Sequence, residues 1–147
     1  MKSSLRHVGI TISNVRRSLS FYRRLGFKVK VDAEEYGTYI DKFSDLTGVE
    51  VRTIKMESSG GSMIELLYYY NYPDADTSRL PLKYKINQVG ISHVALTIDS
   101  FVALQKEFEN GELDFVCPPL QPPGANVLVA FARDPDGNLL ELVEELK

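Results

Sequence analysis

Apolar and polar residues alternate over residues 7–12 (HVGITI), with β-branched side chains between them, the pattern of a half-buried strand. Ser13 or Asn14 can then cap a helix, and Val15, Leu19, Tyr22 and Leu25 recur at helical spacing before Gly26, a suitable stop. Further strands are expected over residues 27–31, 51–56 and 62–69, the last two joined by a Ser-Ser-Gly-Gly turn. The same order returns later. A strand begins at His93, Asp99 or Ser100 caps a helix carrying Val102, Gln105 and Phe108, and Asn110-Gly111 ends it. Strands over residues 114–117, 127–133 and 138–143 follow, the last two joined by Asp134-Pro135-Asp136-Gly137, where Pro pre-sets φ and Gly accepts a positive one.

Laid over each other, the two stretches match residue by residue. His7 falls on His93, Val8 on Val94, Ile10 on Leu96, Thr11 on Thr97 and Ile12 on Ile98, an offset of 86. The pattern therefore predicts an α+β fold of two βαβββ modules, about residues 5–72 and 91–145, within a single domain spanning 1–147. Residues 73–90, polar and proline-bearing, read as the linker. The modules are expected to form a curved, cup-shaped mixed sheet with helices on the outside. The long segment 32–48, with Tyr36, Tyr39 and Phe43, is expected to be a connection that covers the cup, and residues 118–124 a second rim.

Composition changes this picture little. At 44% hydrophobic and 25% charged, the chain is of ordinary globular make-up. A net charge of −3 argues against a nucleic-acid partner, whose footprint is a concentrated basic face. Arg16, Arg17, Arg23 and Arg24 read as the solvated face of the first helix. No apolar run is long enough to span a bilayer, so no membrane partner is expected. The only cysteine, Cys117, permits no intrachain disulfide and points to a reducing, cytoplasmic setting, where it reads as a small buried hydrophobe.

Two carboxylates sit where an isolated charge is costly. Glu65 interrupts Met63-Ile64-Glu65-Leu66-Leu67-Tyr68-Tyr69-Tyr70, and Glu141 lies between Leu139-Leu140 and Leu142-Val143. Each module thus opens on a histidine and closes on a glutamate, although the two spacers differ, at 58 and 48 residues. Strand parity puts Gly9 and Thr11 on the face of His7, Ala95 and Thr97 with His93, Met63, Leu67 and Tyr69 with Glu65, and Leu139 and Val143 with Glu141. Two imidazoles and two carboxylates converging among such neighbours fit a divalent metal site.

The chain resembles the vicinal oxygen chelate superfamily, which contains glyoxalase I, methylmalonyl-CoA epimerase, extradiol dioxygenases and fosfomycin or bleomycin resistance proteins. The resemblance rests on HVGITI with SFYRRLGF, on GGSMIELLYY, on ISHVALTID, and above all on RDPDGNLLELVE. It implies that His7, Glu65, His93 and Glu141 ligate one divalent metal ion, of which Ni, Co, Zn, Mn and Fe are all candidates.

The activity implied is that of a glyoxalase- or epimerase-type lyase or isomerase. Two substrate oxygens are chelated and an enolate is stabilised during proton transfer, with Glu141 or Glu65 as the base. Thr11, Met63, Tyr69 and Thr97 would line the substrate space. Asp45 and Glu50 are the nearest candidates for a second acid/base group. Where bacterial glyoxalase I proteins carry arginine and asparagine for glutathione, this chain has Thr11 and Tyr69, which argues against glutathione hemithioacetal. The alternatives are an extradiol-type dioxygenase, disfavoured by Glu65 as a fourth ligand, and a non-catalytic small-molecule-binding protein. The resemblance also implies a homodimer.

Overall fold

A computed structural model describes residues 2–71, 86–87, 89–109 and 113–147 of the chain. By its contacts the chain divides into two compact units, Met1–Ser78 and Arg79–Lys147. The expected linker, 73–90, lies outside the described residues except for 86, 87, 89 and 90, as do Tyr72 and the expected helix stop at Asn110-Gly111.

The first unit runs β1 (Val8–Thr11), α1 (Val15–Arg24), β2 (Lys28–Tyr36), α2 (Thr38–Ser44), β3 (Glu50–Glu57) and β4 (Met63–Tyr69). Its sheet has the order β1-β4-β3-β2, with β1 parallel to β4 and the other pairs antiparallel. The second unit runs β5 (Val94–Ile98), α3 (Phe101–Glu107), β6 (Asp114–Phe115), β7 (Val127–Arg133) and β8 (Leu139–Glu145), in the order β5-β8-β7-β6. Again the first strand pairs in parallel with the last, β5 with β8. The two mixed sheets, with three helices among the described residues, are the α+β, βαβββ-type modules expected.

The starts of the helices follow from local chemistry. Asn14 Oδ1 accepts from the Arg17 amide at 2.9 Å, and Ser100 Oγ from the Ala103 amide at 3.1 Å, each satisfying an amide that has no partner inside its helix. Gly26, at φ 87°, ends α1 by donating its amide to the Arg23 carbonyl at 2.9 Å. The buried lines differ from those expected. In α1 the buried residues are Ser18, Phe21 and Tyr22, with Val15, Leu19 and Leu25 half-buried at the edges. In α3 the line is Phe101, Leu104 and Phe108, and Val102 faces solvent. Phe101 at the first helical position sets that line at spacings of three and four, which the expected Val102–Gln105 line missed.

The largest correction concerns residues 32–48. They are not a long open connection. β2 continues to Tyr36, and α2 follows after Gly37 at φ 93°. Ile40 of α2 packs with Val49 and Val51, and half-buried Leu67 and Tyr69 pack against that cluster. A seven-residue helix with one buried residue has too weak a periodicity to be read from sequence.

Each sheet has one face whose centre is fully buried, and strand parity fixes which. In the first unit Ile10, Ile54, Met56, Ile64 and Leu66 are buried, and in the second Ala130, Ala132, Leu140 and Leu142. The opposite faces are only half-covered, and they carry the residues of interest.

Candidate functional site

On the half-covered face of the first sheet, β1 and β4 run in parallel with Gly9 in register with Glu65. His7 precedes Gly9 by two residues and so shares its face. Gly9 has no side chain to separate the imidazole from the carboxylate, and a Cβ there would meet only Leu67 Cδ1 at 3.6 Å. The result is a contact of 3.1 Å between His7 Nε2 and Glu65 Oε2, with the two side chains 27% and 14% exposed.

The second unit repeats the arrangement. Ala95 is in register with Glu141, His93 precedes it by two, and His93 Nε2 lies 3.0 Å from Glu141 Oε2. Ser92 Oγ lies 2.8 Å from the other ring nitrogen, Nδ1, which leaves Nε2 aimed at the carboxylate. The sequence signal for both pairs was the repeat itself, because a small residue at position +2 recurs together with the histidine.

β8 is aimed by the turn before it. Asp134 Oδ1 accepts from the amides of Asp136 at 3.0 Å and Asn138 at 2.8 Å, while Oδ2 accepts from the Asn138 side-chain amide at 2.9 Å. The amide of Gly137, at φ 87°, donates to the Asp134 carbonyl at 3.0 Å. Asp134 is buried, so these bonds satisfy a charge that would otherwise be expensive to bury. The Asp-Pro-Asp-Gly-Asn string thus fixes the register that places Glu141 beside Ala95.

The two pairs differ in what stands on the other side of the glutamate. Lys55 of β3 is in register with Glu65, and its Nζ lies 3.5 Å from Oε1, the oxygen not facing His7. In the second unit the corresponding residue is Phe131, whose ring meets that of His93 edge-on at 5.3 Å. Lys55 went unnoticed in the sequence, because a lone lysine in a strand reads as a solvated residue. Only the pairing of β3 with β4 marks it.

The remaining candidates are dispersed. Thr11 and Thr97 are exposed on the same faces as His7 and His93, and Met63 is half-buried beside Glu57 in register. Tyr69 shares the face of Glu65, but its ring is built into the apolar cluster with Val49 and Val51. Tyr68 and Tyr70 stack edge-on at 5.1 Å on the opposite face, where the Tyr70 hydroxyl donates to Glu34 Oε1 at 2.8 Å. Asp45 is the exposed left-handed cap of α2, at φ 57°, and Glu50 is exposed at the start of β3. Residues 118–124 are tied to β7 through Leu120, which exchanges two 2.9 Å backbone hydrogen bonds with Val129. Cys117 is a free, half-buried thiol.

The donor chemistry suits a transition-metal ion. Two donors bound side by side at about 2.1 Å stand about 3.0 Å apart, so each His–Glu pair has the separation of neighbouring ligands. The same separation serves as a hydrogen bond. Among the described residues, no group of three or more His, Cys, Asp or Glu side chains comes together; the donors occur as one pair in each unit. Among the described residues, too, no helix is long and apolar enough to cross a membrane.

The model of the Glyoxalase/Bleomycin resistance protein/Dioxygenase superfamily matches residues 4–142. Among solved structures, a glyoxalase family protein from Bacillus cereus matches at 21% identity and a TM-score of 0.86, over 97% of this chain and 94% of that one. A glyoxylase/bleomycin resistance protein/dioxygenase domain from Frankia sp. EAN1pec is 17% identical, with a TM-score of 0.68 over 100% of this chain and 95% of its own. Glyoxalase I from Zea mays is 20% identical with a TM-score of 0.64; 96% of this chain is covered but 44% of the maize chain. At these identities the structural likeness speaks for the fold. No curated protein matches the chain.

Proposed function

The chain belongs to the Glyoxalase/Bleomycin resistance protein/Dioxygenase superfamily, and on that premise we propose that it is a divalent-metal-dependent enzyme of glyoxalase or epimerase type. In this reading His7, Glu65, His93 and Glu141 hold one metal ion, Ni, Co, Zn, Mn or Fe, within one chain or shared across a homodimer. The observation that carries it is the duplication. Two units with different spacers each place an imidazole Nε2 and a carboxylate Oε2 at ligand separation, on the less covered face of a sheet.

When bound, the ion would supply Lewis-acid polarisation of two neighbouring substrate oxygens. The protein's part is proton handling and orientation. A carboxylate oxygen of Glu141 or Glu65 takes the proton from the carbon beside those oxygens and returns it, the exchange that a lyase, isomerase or epimerase requires. Ser92 Oγ, 2.8 Å from Nδ1, can accept a hydrogen bond from that ring nitrogen and so orient His93 with Nε2 towards the ion. In this reading Thr11, Met63, Tyr69 and Thr97 line the substrate space. Glutathione hemithioacetal is not the substrate in this reading. The single cysteine suits a cytoplasmic enzyme.

Metal content of untagged protein purified without chelator tests the proposal. One equivalent per chain is expected, and His93→Ala should remove it while the far-UV spectrum is kept. Iron at one equivalent with oxygen uptake on catechols would instead favour the dioxygenase reading. No uptake of any of the five metals would leave a small-molecule-binding protein.

A further inference from the structure

We propose that Lys55 holds a negatively charged oxygen of the substrate, so that the site selects an anionic chelate over a neutral one of the same shape. The inference rests on the metal reading above and names the substrate class for that site. Lys55 stands directly across from Glu65 on the half-covered face, about a third exposed, with Nζ 3.5 Å from Oε1. Its neighbour in register on the other side, Val31, offers no charge. The other two carboxylates that strand pairing places on this face are engaged elsewhere. Glu35 accepts from the Thr53 hydroxyl at 3.0 Å, and Glu57 pairs with Lys30 at 2.9 Å. Glu65 is therefore the carboxylate that balances Lys55.

That balance changes once Glu65 is a metal ligand. The charges of Glu65 and Glu141 then offset those of a divalent ion, the histidines bind as neutral imidazoles, and the ammonium of Lys55 is left in excess. A partly exposed ammonium beside a low-dielectric face is best matched by an anion that arrives with the substrate. Phe131 takes the corresponding place in the second unit, so the excess charge lies on the side of Glu65 alone. A 2-hydroxy or 2-oxo carboxylate meets these demands, since it presents two adjacent oxygens for chelation and carries one negative charge.

Lactate and lactamide are near-isosteric and differ in that charge, which makes them suitable probes. Their affinities would be measured by isothermal titration on protein carrying its one equivalent of metal, for the wild type, Lys55→Met and Lys55→Arg. Lactate is expected to bind the wild type more tightly than lactamide. Lys55→Met should weaken lactate by roughly tenfold to a hundredfold, the scale of one charge-assisted hydrogen bond, and leave lactamide unchanged. Lys55→Arg should keep most of the preference. Should Lys55→Met not fold, Lys55→Gln makes the same comparison. Full metal content with an unchanged lactate-to-lactamide ratio, or with no lactate binding by the wild type, overturns the role of Lys55 alone. Metal content well below one equivalent overturns the metal reading, and this proposal with it.

Discussion

The two units place the same pair of side chains by the same means and then surround it differently. In both, a parallel pairing of the first strand with the last sets a small residue, Gly9 or Ala95, against the glutamate, and the histidine two positions earlier closes on it at about 3 Å. Across the glutamate, however, the first unit has the ammonium of Lys55 and the second the ring of Phe131. Strand register carries the position of a functional group faithfully through a duplication. It puts no constraint on the residue one strand further away, and that residue sets the electrostatics. The polar side of the repeat is the first unit, with Lys55 and the Thr53–Glu35 contact. The apolar side is the second, with Phe131 and Val129 on the corresponding strand.

The sharpest way to break the comparison is to open each core. Leu66 and Leu142 occupy equivalent strand positions and are fully buried. Leu66→Ala and Leu142→Ala should each cost about 3 kcal/mol in urea denaturation. A loss in one unit much smaller than in the other would show that the equivalence of the cores is only topological.

A smaller contrast lies in the turns before β4 and β8. Asp134→Ala removes three acceptor contacts from a buried carboxylate and should cost about 2 kcal/mol. Ser58→Ala, which loses one exposed bond to the Ser62 amide, should cost well under about 1 kcal/mol. Equal costs would mean that β8 owes its register to pairing and not to the turn.

Neutralising the glutamates in metal-free protein probes the Lys55–Phe131 difference directly. Glu65→Gln strands Lys55 and should destabilise by about 1 kcal/mol, more than Glu141→Gln, since the residue across from Glu141 is the uncharged Phe131. Thermal denaturation at neutral pH would rank the two, and the reverse order would remove Lys55 from the electrostatics of the pair.

The smallest effect expected belongs to the outer edge of the first sheet. Arg52 grips Asp32 with two hydrogen bonds of 2.8 Å and holds its carboxyl below the ordinary value of 3.8. The pair is largely exposed, so a double-mutant cycle should find about 0.5 kcal/mol. Because the folded-state value is the lower one, the contribution is complete above pH 3.8 and disappears as pH falls through the lowered value. Asp32→Asn should flatten that part of the stability-versus-pH curve, and an unchanged curve would assign the acid sensitivity elsewhere.

What the sequence determined by itself was whatever short-range physics dictates. Alternation identified the strands of both modules, the pairs Ser13-Asn14 and Asp99-Ser100 announced their helices, and Asp134 to Gly137 announced the turn. The repeat singled out His7 with Glu65 and His93 with Glu141, because duplicated chemistry at unequal spacing is hard to produce by surface composition. Tertiary structure alone decided the rest. Only pairing between strands put Lys55 across from Glu65 and Phe131 across from Glu141. Only packing turned residues 32–48 into the end of a strand and a short helix, since one buried side chain, Ile40, gains its stability from Val49, Val51, Leu67 and Tyr69 and not from its own turn. Periodicity records which face of an element is buried, but it holds no information about which strand comes to lie beside it, and the chemistry of this face depends on that neighbour.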